Sequence, residues 1–253
     1  MKLISWQAIY VLWLREIKKF WRFKSRTIGS IVTPLFFLIF LGFGLSSFVI
    51  QGDVKYISFL VPGIIGMNIL FSSVFGGVSV IIDRQFGFLK EIMVAPVSRF
   101  SIALGRIAGG ATTALIQGSL LILITFILGF ETVTPYSVIF ALIFMIAISS
   151  TFIALGLIIA TRMKDTQGFQ LIVNFVIFPL LFLSGALYPI NNLPNGIKYL
   201  SYIDPLTYGV DGLRGVLIGV SSFSVLFDLF MILAFAFVFI LISSYLFEKS
   251  KNI

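Results

Sequence analysis

Residues 132–161 read TVTPYSVIFALIFMIAISSTFIALGLIIAT, thirty consecutive residues without Asp, Glu, Lys or Arg. A helix needs about 20 apolar residues to cross the hydrocarbon core of a bilayer. Five further stretches also lack these charged residues: 27–52, 56–82, 107–130, 166–197 and 229–247. Because each stretch can hold one span, the sequence predicts six transmembrane helices, at about 28–50, 57–82, 106–129, 136–160, 168–187 and 226–247.

The composition of the whole chain agrees with a membrane protein. Of 253 residues, 59% are apolar and 11% are charged, and the mean hydropathy is +1.10. Soluble domains have roughly 45–50% apolar and about 25% charged residues, so a soluble globular enzyme is excluded. A disordered chain is excluded too, because disorder requires low hydrophobicity. The spans are too long for barrel strands. The predicted fold is therefore all-α and polytopic, with one transmembrane domain over residues 1–253.

The basic residues are distributed unevenly between the two sides of the predicted bundle. Lys55, Lys198 and Arg214 fall on one side. The other 15 of the 18 basic residues precede the first span, separate spans two and three or four and five, or lie in the C-terminal tail. This asymmetry predicts a multi-pass protein of the cell membrane with both termini in the cytoplasm. Since topology accounts for the net charge of +8, we expect no nucleic-acid partner.

The first 26 residues, 1–26, predict an amphipathic helix at the membrane surface. They carry seven basic residues and no apolar core followed by a small-residue cleavage site, so we expect no cleaved signal peptide. Aromatic and aliphatic side chains recur every three or four residues from Trp6 to Trp21, and bases such as Arg15 and Lys19 fall mostly on the opposite face. We expect the aromatic face to contact lipid and the basic face to contact anionic headgroups. A plain anchor without a mechanistic role is the alternative.

The connection before the last span, residues 188–225, is too apolar for a free loop and is interrupted by Pro and Gly. It predicts two short re-entrant helices at the outer surface, over about 194–202 and 205–218, packed on protein or facing water. Pro205 suits the first turn of the second helix, with Asp204 as its N-cap.

We predict an outer gate on this second helix. Tyr208 and Leu213 would face the bundle, while Asp211 and Arg214, three residues apart, would pair at a wet rim. A lid that serves only stability is the alternative. The predicted gate residues are Pro205, Tyr208, Asp211, Leu213 and Arg214.

Several kinds of chemistry are excluded by what the chain lacks. It contains no Cys and no His, so we expect no catalytic residue and no metal site. The phosphate-binding pattern G-x-x-x-x-G-K-[ST] is absent. The centres of the six predicted spans carry no ionisable residue, and Asp228 would reach water at the outer mouth of the last span; this disfavours a proton- or sodium-driven carrier. Asn68, Gln117 and Asn174 could line a substrate path, or hydrogen-bond between helices.

The connection between spans two and three reads DRQFGFLKEIMVAPVSR over residues 83–99. It predicts a short amphipathic helix that Gly87 can begin and that Pro96 must end, because proline disfavours helix at the preceding residue. Its apolar residues share one face at i, i+3 and i+4: Leu89, Ile92 and Met93. Such a helix suits a groove on a cytosolic partner, and resting on the lipid surface is the alternative.

At this connection the sequence resembles a known family. The patterns RxxGxLxE over 84–91 and APVSR over 95–99 are similar to the cytoplasmic signature of permease subunits of type-2 ABC exporters. The stretches LSGALYPI over 183–190 and DPLTYGVDGLRG over 204–215 resemble two further elements of that family. The resemblance covers essentially the whole chain, and the daunorubicin-exporter type of drug-resistance permease is the most similar subgroup.

The resemblance implies a function and partners. The chain would be a permease subunit that homodimerises and binds two copies of a separate cytosolic ATPase, which would hold ATP and Mg²⁺, while this chain binds no cofactor. It would export an amphiphilic or hydrophobic substrate that is drug-like, lipid-linked or a polysaccharide. A gradient-driven secondary carrier and a non-transporting membrane assembly factor are the alternatives. The implied ATPase contact consists of Arg84, Gly87, Leu89, Glu91, Ile92, Met93 and Pro96.

Overall fold

The computed structural model describes residues 5–44, 49–50, 54–88, 97–127 and 135–249. A short antiparallel pair, β1 (Val49–Ile50) and β2 (Val54–Lys55), stands between α2 and α3. The helices of this part of the chain are α1 (Trp6–Arg22), α2 (Lys24–Gly44), α3 (Tyr56–Gly76), α4 (Val78–Gln85), α5 (Arg99–Ile127), α6 (Pro135–Arg162), α7 (Thr166–Leu183), α8 (Asn195–Ser201), α9 (Pro205–Ile218) and α10 (Val225–Lys249), with a 3₁₀ turn at Ile190–Asn192.

The predicted all-α, polytopic membrane architecture is confirmed. Five spans are long and apolar enough to cross a membrane: α3 continued by α4 (Tyr56–Gln85), α5, α6, α7 and α10. A sixth is counted when α1 and α2 are taken together as one span, bent by 70° between Trp6–Arg22 and Thr27–Gly42.

Several predicted span boundaries differ from those observed, each for a local reason. The third span begins at Arg99 instead of 106, because the Ser98 hydroxyl accepts the Ser101 N–H at 3.1 Å and caps the helix. The fifth ends at Leu183 instead of 187, since Gly185 adopts a left-handed φ of 72°. In the range predicted for the first span, α2 ends at Gly44 and the chain has entered β1 by residue 49.

The centre of the bundle is α3, which packs against α2, α5, α6 and α9 and is buried along most of its length. Small residues allow the helices to approach closely, as is common in membrane bundles. A Cβ on Gly77, at the break between α3 and α4, would lie 2.5 Å from the Gly156 carbonyl oxygen, and one on Gly156 would lie 2.4 Å from that of Val74. The break between α3 and α4 therefore lies at a point of close contact with α6.

Helix α1 packs on α5, and this corrects the prediction for Arg15 and Lys19, which do not face lipid headgroups, whereas Lys18 and Arg22 are exposed. Leu12 is buried, and the indole N–H of Trp13 donates to the Thr112 hydroxyl at 3.0 Å. Arg15 and Lys19 point toward an acidic residue of α4. Exposed aromatic side chains remain on the outer face, as expected for a helix that also contacts lipid.

The two short helices predicted before the last span are present as α8 and α9. They lie at the end of the bundle where α3 begins, since the Tyr56 hydroxyl donates to the Leu187 carbonyl at 2.9 Å. We call this the α9 end. The opposite end, where α1 packs and where Gln85 and Arg99 lie, is the α1 end.

Candidate functional site

A cavity of about 820 Å³ lies among helices α1 to α7. Its volume falls within the range of roughly 300–1,000 Å³ that is typical of ligand sites. The residues that line it extend along α3 and α4 from Met67 to Asp83, a distance of about 24 Å at 1.5 Å per helical residue. The cavity is therefore elongated and approaches the α1 end of the bundle.

Charged side chains close the cavity at the α1 end, and we call this group the charged floor: Arg15, Glu16, Lys19, Asp83 and Arg106. The Asp83 carboxylate accepts two hydrogen bonds from Arg15, one of them at 2.9 Å, and one from Arg106 at 2.7 Å. Lys19 Nζ lies 3.9 Å from Asp83 and 3.4 Å from Glu16. One acid thus joins α1, α4 and α5 at a single point.

Beyond the floor, phenylalanine side chains contribute to the walls of the cavity, together with aliphatic and uncharged polar residues. Phe71 stacks on Phe75 with ring centroids 6.4 Å apart and meets Phe178 edge to face at 6.1 Å. Phe20 and Phe37 line the same space from α1 and α2. The cavity thus combines a charged end with a chamber whose lining is largely apolar.

Two of the three polar residues predicted to line a path do line this cavity. The Gln117 amide donates to the Ser30 hydroxyl at 2.9 Å, and its Oε1 is buried without a partner among the residues that the structure describes. Asn68 is also buried, and its Nδ2 has no partner in the described residues. Asn174 is exposed on the outside of α7 and is not part of the cavity lining, so its role in a path stays a prediction.

At the α9 end, the predicted pair of Asp211 and Arg214 forms but is buried, which corrects its placement at a wet rim. The pair is 3.8 Å apart, and the side chains are 1% and 3% exposed. Asp211 also accepts the backbone N–H groups of Ser222 at 2.7 Å and of Phe223 at 2.9 Å. These bonds fix the turn that follows α9, so the pair acts as a structural joint.

The guanidinium of Arg214 has two contacts besides Asp211. Arg214 donates to the Gly185 carbonyl at 2.9 Å and lies over the Phe59 ring at 3.7 Å from its centroid. Burial lowers the pKa of Arg214 to about 10, and Asp211 opposes that shift, so the group stays protonated at neutral pH. Tyr208 and Leu213 are buried against the bundle as predicted.

The N-cap predicted for α9 is present. Asp204 Oδ1 accepts the Leu206 N–H at 2.8 Å, and Pro205 lies in the first turn. Burial raises the pKa of the Asp204 carboxyl well above its usual value, and the hydrogen bond from Leu206 opposes this. Asp228, expected to reach water, is instead fully buried, and neither carboxyl oxygen has a partner among the described residues.

Comparison with known proteins adds to this geometry. Residues 7–218 match the family described as "ABC-2 type transporter". The chain belongs to the ABC-2 type transporter family.

Individual members of this family align over most of the chain. "Inner membrane transport permease YadH" of Escherichia coli (strain K12) is 26% identical over 255 residues, which cover 99% of this chain and 98% of that protein. "Nodulation protein J" of Rhizobium meliloti (strain 1021) is 28% identical over 217 residues, or 85% and 80% of the two chains. The protein ycf38 of Cyanophora paradoxa is 32% identical over 218 residues, or 82% and 73%.

As a member of the ABC-2 type transporter family, this chain is a multi-pass membrane permease. Of the predicted ATPase contact, Leu89, Glu91, Ile92, Met93 and Pro96 lie outside the described residues. Arg84 donates to the Met163 carbonyl at 2.6 Å and to the Thr161 carbonyl at 3.4 Å, so it ties α4 to the end of α6. Gly87 follows α4 with a left-handed φ of 75°.

The charged floor of this ABC-2 permease is not predicted by the sequence. The sequence predicts Arg106 at the boundary between the connection and the third span, whereas the capped start of α5 at Arg99 places it inside the helix. Asp83 is predicted only as the first residue of the connection. One signal in the sequence could have indicated the floor. Asp83 is a single acid at the end of an apolar span, in a region where basic residues are in excess. Its actual partners, Arg15 and Arg106, come from two other helices.

Proposed function

We infer that this ABC-2 permease is the transmembrane subunit of an exporter that moves an amphiphilic or hydrophobic substrate out of the cytoplasm. A separate ATPase subunit, which binds ATP and Mg²⁺, supplies the energy. One observation carries this proposal: the cavity has an apolar chamber and a charged floor, and that floor adjoins the connection between α4 and α5.

The contacts of Arg15 suggest how the ATPase acts on the cavity. Arg15 binds Asp83 at the end of α4, and its guanidinium lies 4.2 Å from the centroid of the Phe88 ring. Phe88 directly precedes the segment 89–96, where the ATPase binds in this proposal. A push on that segment moves Phe88 and, through Arg15, displaces α1 and the floor.

A second copy of the chain completes the exporter. Gln167, Gln170 and Asn174 are exposed on one face of α7, at i, i+3 and i+7. A polar stripe on a span is unfavourable against lipid but favourable against another polar surface or a water-filled path. We therefore place this face of α7 at the contact between two protomers, in a complex with two ATPase subunits.

The test of this function is co-purification with the ATPase, followed by transport. Leu89→Asp places a charge on the proposed contact and should abolish both co-purification and ATP-dependent export, while insertion into the membrane is unchanged. Leu200→Asp, at an exposed apolar position of α8, is the matched control and should retain both activities. Export that persists in Leu89→Asp would contradict the assignment. Transport into vesicles without ATP would instead indicate a gradient-driven carrier.

The proposed location is the cell membrane, with both termini in the cytoplasm and residues 188–225 outside. Because the chain has no Cys, single-Cys labelling of intact cells can test this directly. An impermeant thiol reagent should label Asn195→Cys and should not label Ser250→Cys. The reverse pattern would invert the topology.

We also propose that α9 is the outer gate, closed in this conformation. Its burial against α3, α6 and α10 means that opening must move it as a unit. Tyr208→Cys should therefore be labelled faster in the ATP-bound state than in the ATP-free state. Ile203→Cys, at an exposed position next to α9, should be labelled equally in both. Equal labelling of Tyr208→Cys in both states would leave α9 as a passive lid.

A further inference from the structure

We propose that the charged floor is a binding site for an anionic headgroup, and that the substrate is an amphiphile whose apolar tail occupies the apolar chamber. This inference rests on the proposed function, because it names the substrate class of the same cavity. The shared chemistry is a phosphate or carboxylate group attached to an apolar chain.

The charge of the floor supports an anion. Three bases, Arg15, Lys19 and Arg106, face two acids, Glu16 and Asp83, so the lining carries a net positive charge. Arg106 is 3% exposed, and its counter-charge is the Asp83 carboxylate at 2.7 Å, which Arg15 and Lys19 also approach. One acid therefore serves three bases, and an anion from the substrate would add the counter-charge that these bases share.

Unsatisfied donors in the lining support the same ligand. Arg106 Nε is buried and has no hydrogen-bond partner in the described part of the chain, although its two terminal nitrogens donate to Ser79 and Asp83. Asn68 Nδ2 is also buried without a partner among the described residues, but it lies deeper in the cavity and is not part of the headgroup site. A buried donor left unpaired is costly, so an anion at the floor that accepts from Arg106 Nε gains a hydrogen bond. Guanidinium groups suit phosphate and carboxylate oxygens by their planar geometry.

The position of the floor gives substrate binding a consequence. An anionic headgroup competes with the Asp83 carboxylate for Arg15 and Arg106, because all three lie at the same end of the cavity. Arg15 also contacts Phe88, so exchanging Asp83 for a ligand as the partner of Arg15 would also change this contact, at the start of the connection between α4 and α5. Occupancy of the cavity and the position of the connection are thereby coupled through one side chain.

Binding of dodecyl phosphate to the full-length chain tests this proposal without ATP or an ATPase. The protein is reconstituted in nanodiscs of neutral phosphatidylcholine, and radiolabelled dodecyl phosphate is compared with dodecyltrimethylammonium and inorganic phosphate. We expect dodecyl phosphate to bind at least about tenfold more tightly than the cationic amphiphile, from one charge-assisted contact of typical strength. Equal affinity for the two amphiphiles would overturn the proposal.

Two substitutions of opposite expected sign separate a charge effect from damage to the fold. Arg106→Gln should weaken dodecyl phosphate binding by about tenfold, and Asp83→Asn should strengthen it, because the competing carboxylate is removed. Arg162→Gln, an exposed base outside the cavity, should change nothing. If Arg106→Gln does not fold, Lys19→Gln removes a positive charge at a more exposed position and should also weaken binding. Weaker binding in Asp83→Asn would overturn the proposal.

The source of the anion is tested by adding phosphatidylglycerol to the nanodiscs. Competition with dodecyl phosphate would assign the site to a bilayer lipid, and unchanged binding would assign it to a single-chain solute; both outcomes retain the anionic site. Absence of dodecyl phosphate binding, together with normal ATPase co-purification and export, would refute the anionic site and leave the exporter function intact.

Discussion

The two ends of this bundle hold their charges in opposite ways. At the α1 end, Asp83 is shared among bases from α1 and α5, which are far apart in sequence, and Arg15 and Lys19 remain 24% and 31% exposed. At the α9 end, Asp211 and Arg214 lie three residues apart on one helix and are fully enclosed. The first arrangement joins separate helices beside a cavity, and the second fastens one helix to its surroundings.

The packing follows the same division. At the α9 end, α9 and the turn after α7 press directly on α3: a Cβ on Gly63 would lie 1.9 Å from the Ala186 carbonyl oxygen, and one on Gly66 would lie 2.5 Å from Val210. At the α1 end, the same span borders open space. Helices α1 and α5 also pack closely, since a Cβ on Gly109 would lie 2.6 Å from Glu16. In this conformation the α9 end is therefore closed around the span, whereas the α1 end borders the cavity, where the partly exposed contacts of Arg15 and Lys19 can be exchanged.

The largest effect is expected from removing the buried base at the α9 end. Arg214→Gln leaves Asp211 without its counter-charge and removes the contacts with Gly185 and Phe59. Breaking a buried ion pair from one side should lower the free energy of unfolding by roughly 3–5 kcal/mol, measured by denaturation in detergent. Lys198→Gln makes the same charge change at a less buried site of the same end and should have little effect. Similar losses in both variants would refute the assignment of a structural joint.

The next largest effect concerns the close contact between α3 and the turn after α7. Gly63→Ala adds a methyl group into the Ala186 backbone and should destabilise the protein by about 1–3 kcal/mol, the usual range for overpacking. Gly76→Ala, in the same helix but with nothing within 4 Å of the added Cβ, is the control and should be neutral. The melting temperature in detergent measures both, and an unchanged value for Gly63→Ala would show that the α9 end is less rigid than its packing indicates.

A smaller, pH-dependent effect is expected at the N-cap of α9. Because burial raises the pKa of Asp204 in the folded protein, this carboxyl stabilises the fold most below its unfolded pKa of about 3.9, and the contribution declines as pH rises toward the folded value. Asp204→Asn keeps an acceptor for Leu206 without a titrating group.

The difference in melting temperature between Asp204→Asn and the wild type should therefore shift in favour of Asn as pH rises from about 4 to 7. Asp204→Ala loses the cap at every pH and should cost about 1 kcal/mol. A constant difference between Asn and the wild type across this range would mean that Asp204 titrates normally.

The sequence predicted what depends on local patterns. Charge-free stretches located the spans, and the Asp-Pro pair at 204–205 located the start of α9. Both signals are local in the sequence. A charge-free stretch depends on one helix in a bilayer, and the Asp-Pro pair depends on one helix cap.

The sequence could not predict contacts that require a tertiary arrangement. The partners of Asp83 come from α1 and α5, 68 and 23 residues away. The burial of Asp211 and Arg214 depends on Phe59 and Gly185, which lie on other segments. The spacing of the pair was enough to predict that it forms, but its environment was set by the packing of α3 and of the turn after α7.

The smallest effect is expected for Lys19 at the α1 end. Its Nζ is 3.9 Å from Asp83 and 3.4 Å from Glu16, and the side chain is partly exposed, so Lys19→Gln should cost at most about 1 kcal/mol of stability. Because water and ions reach such a pair, the cost should shrink further as salt is raised. The cost of Arg214→Gln should not shrink, since that pair is enclosed by protein. Melting temperatures of both variants at low and high salt test this contrast directly. If Arg214→Gln proves as sensitive to salt as Lys19→Gln, then solvent reaches both ends of the bundle, and the distinction between an exchangeable α1 end and a sealed α9 end fails.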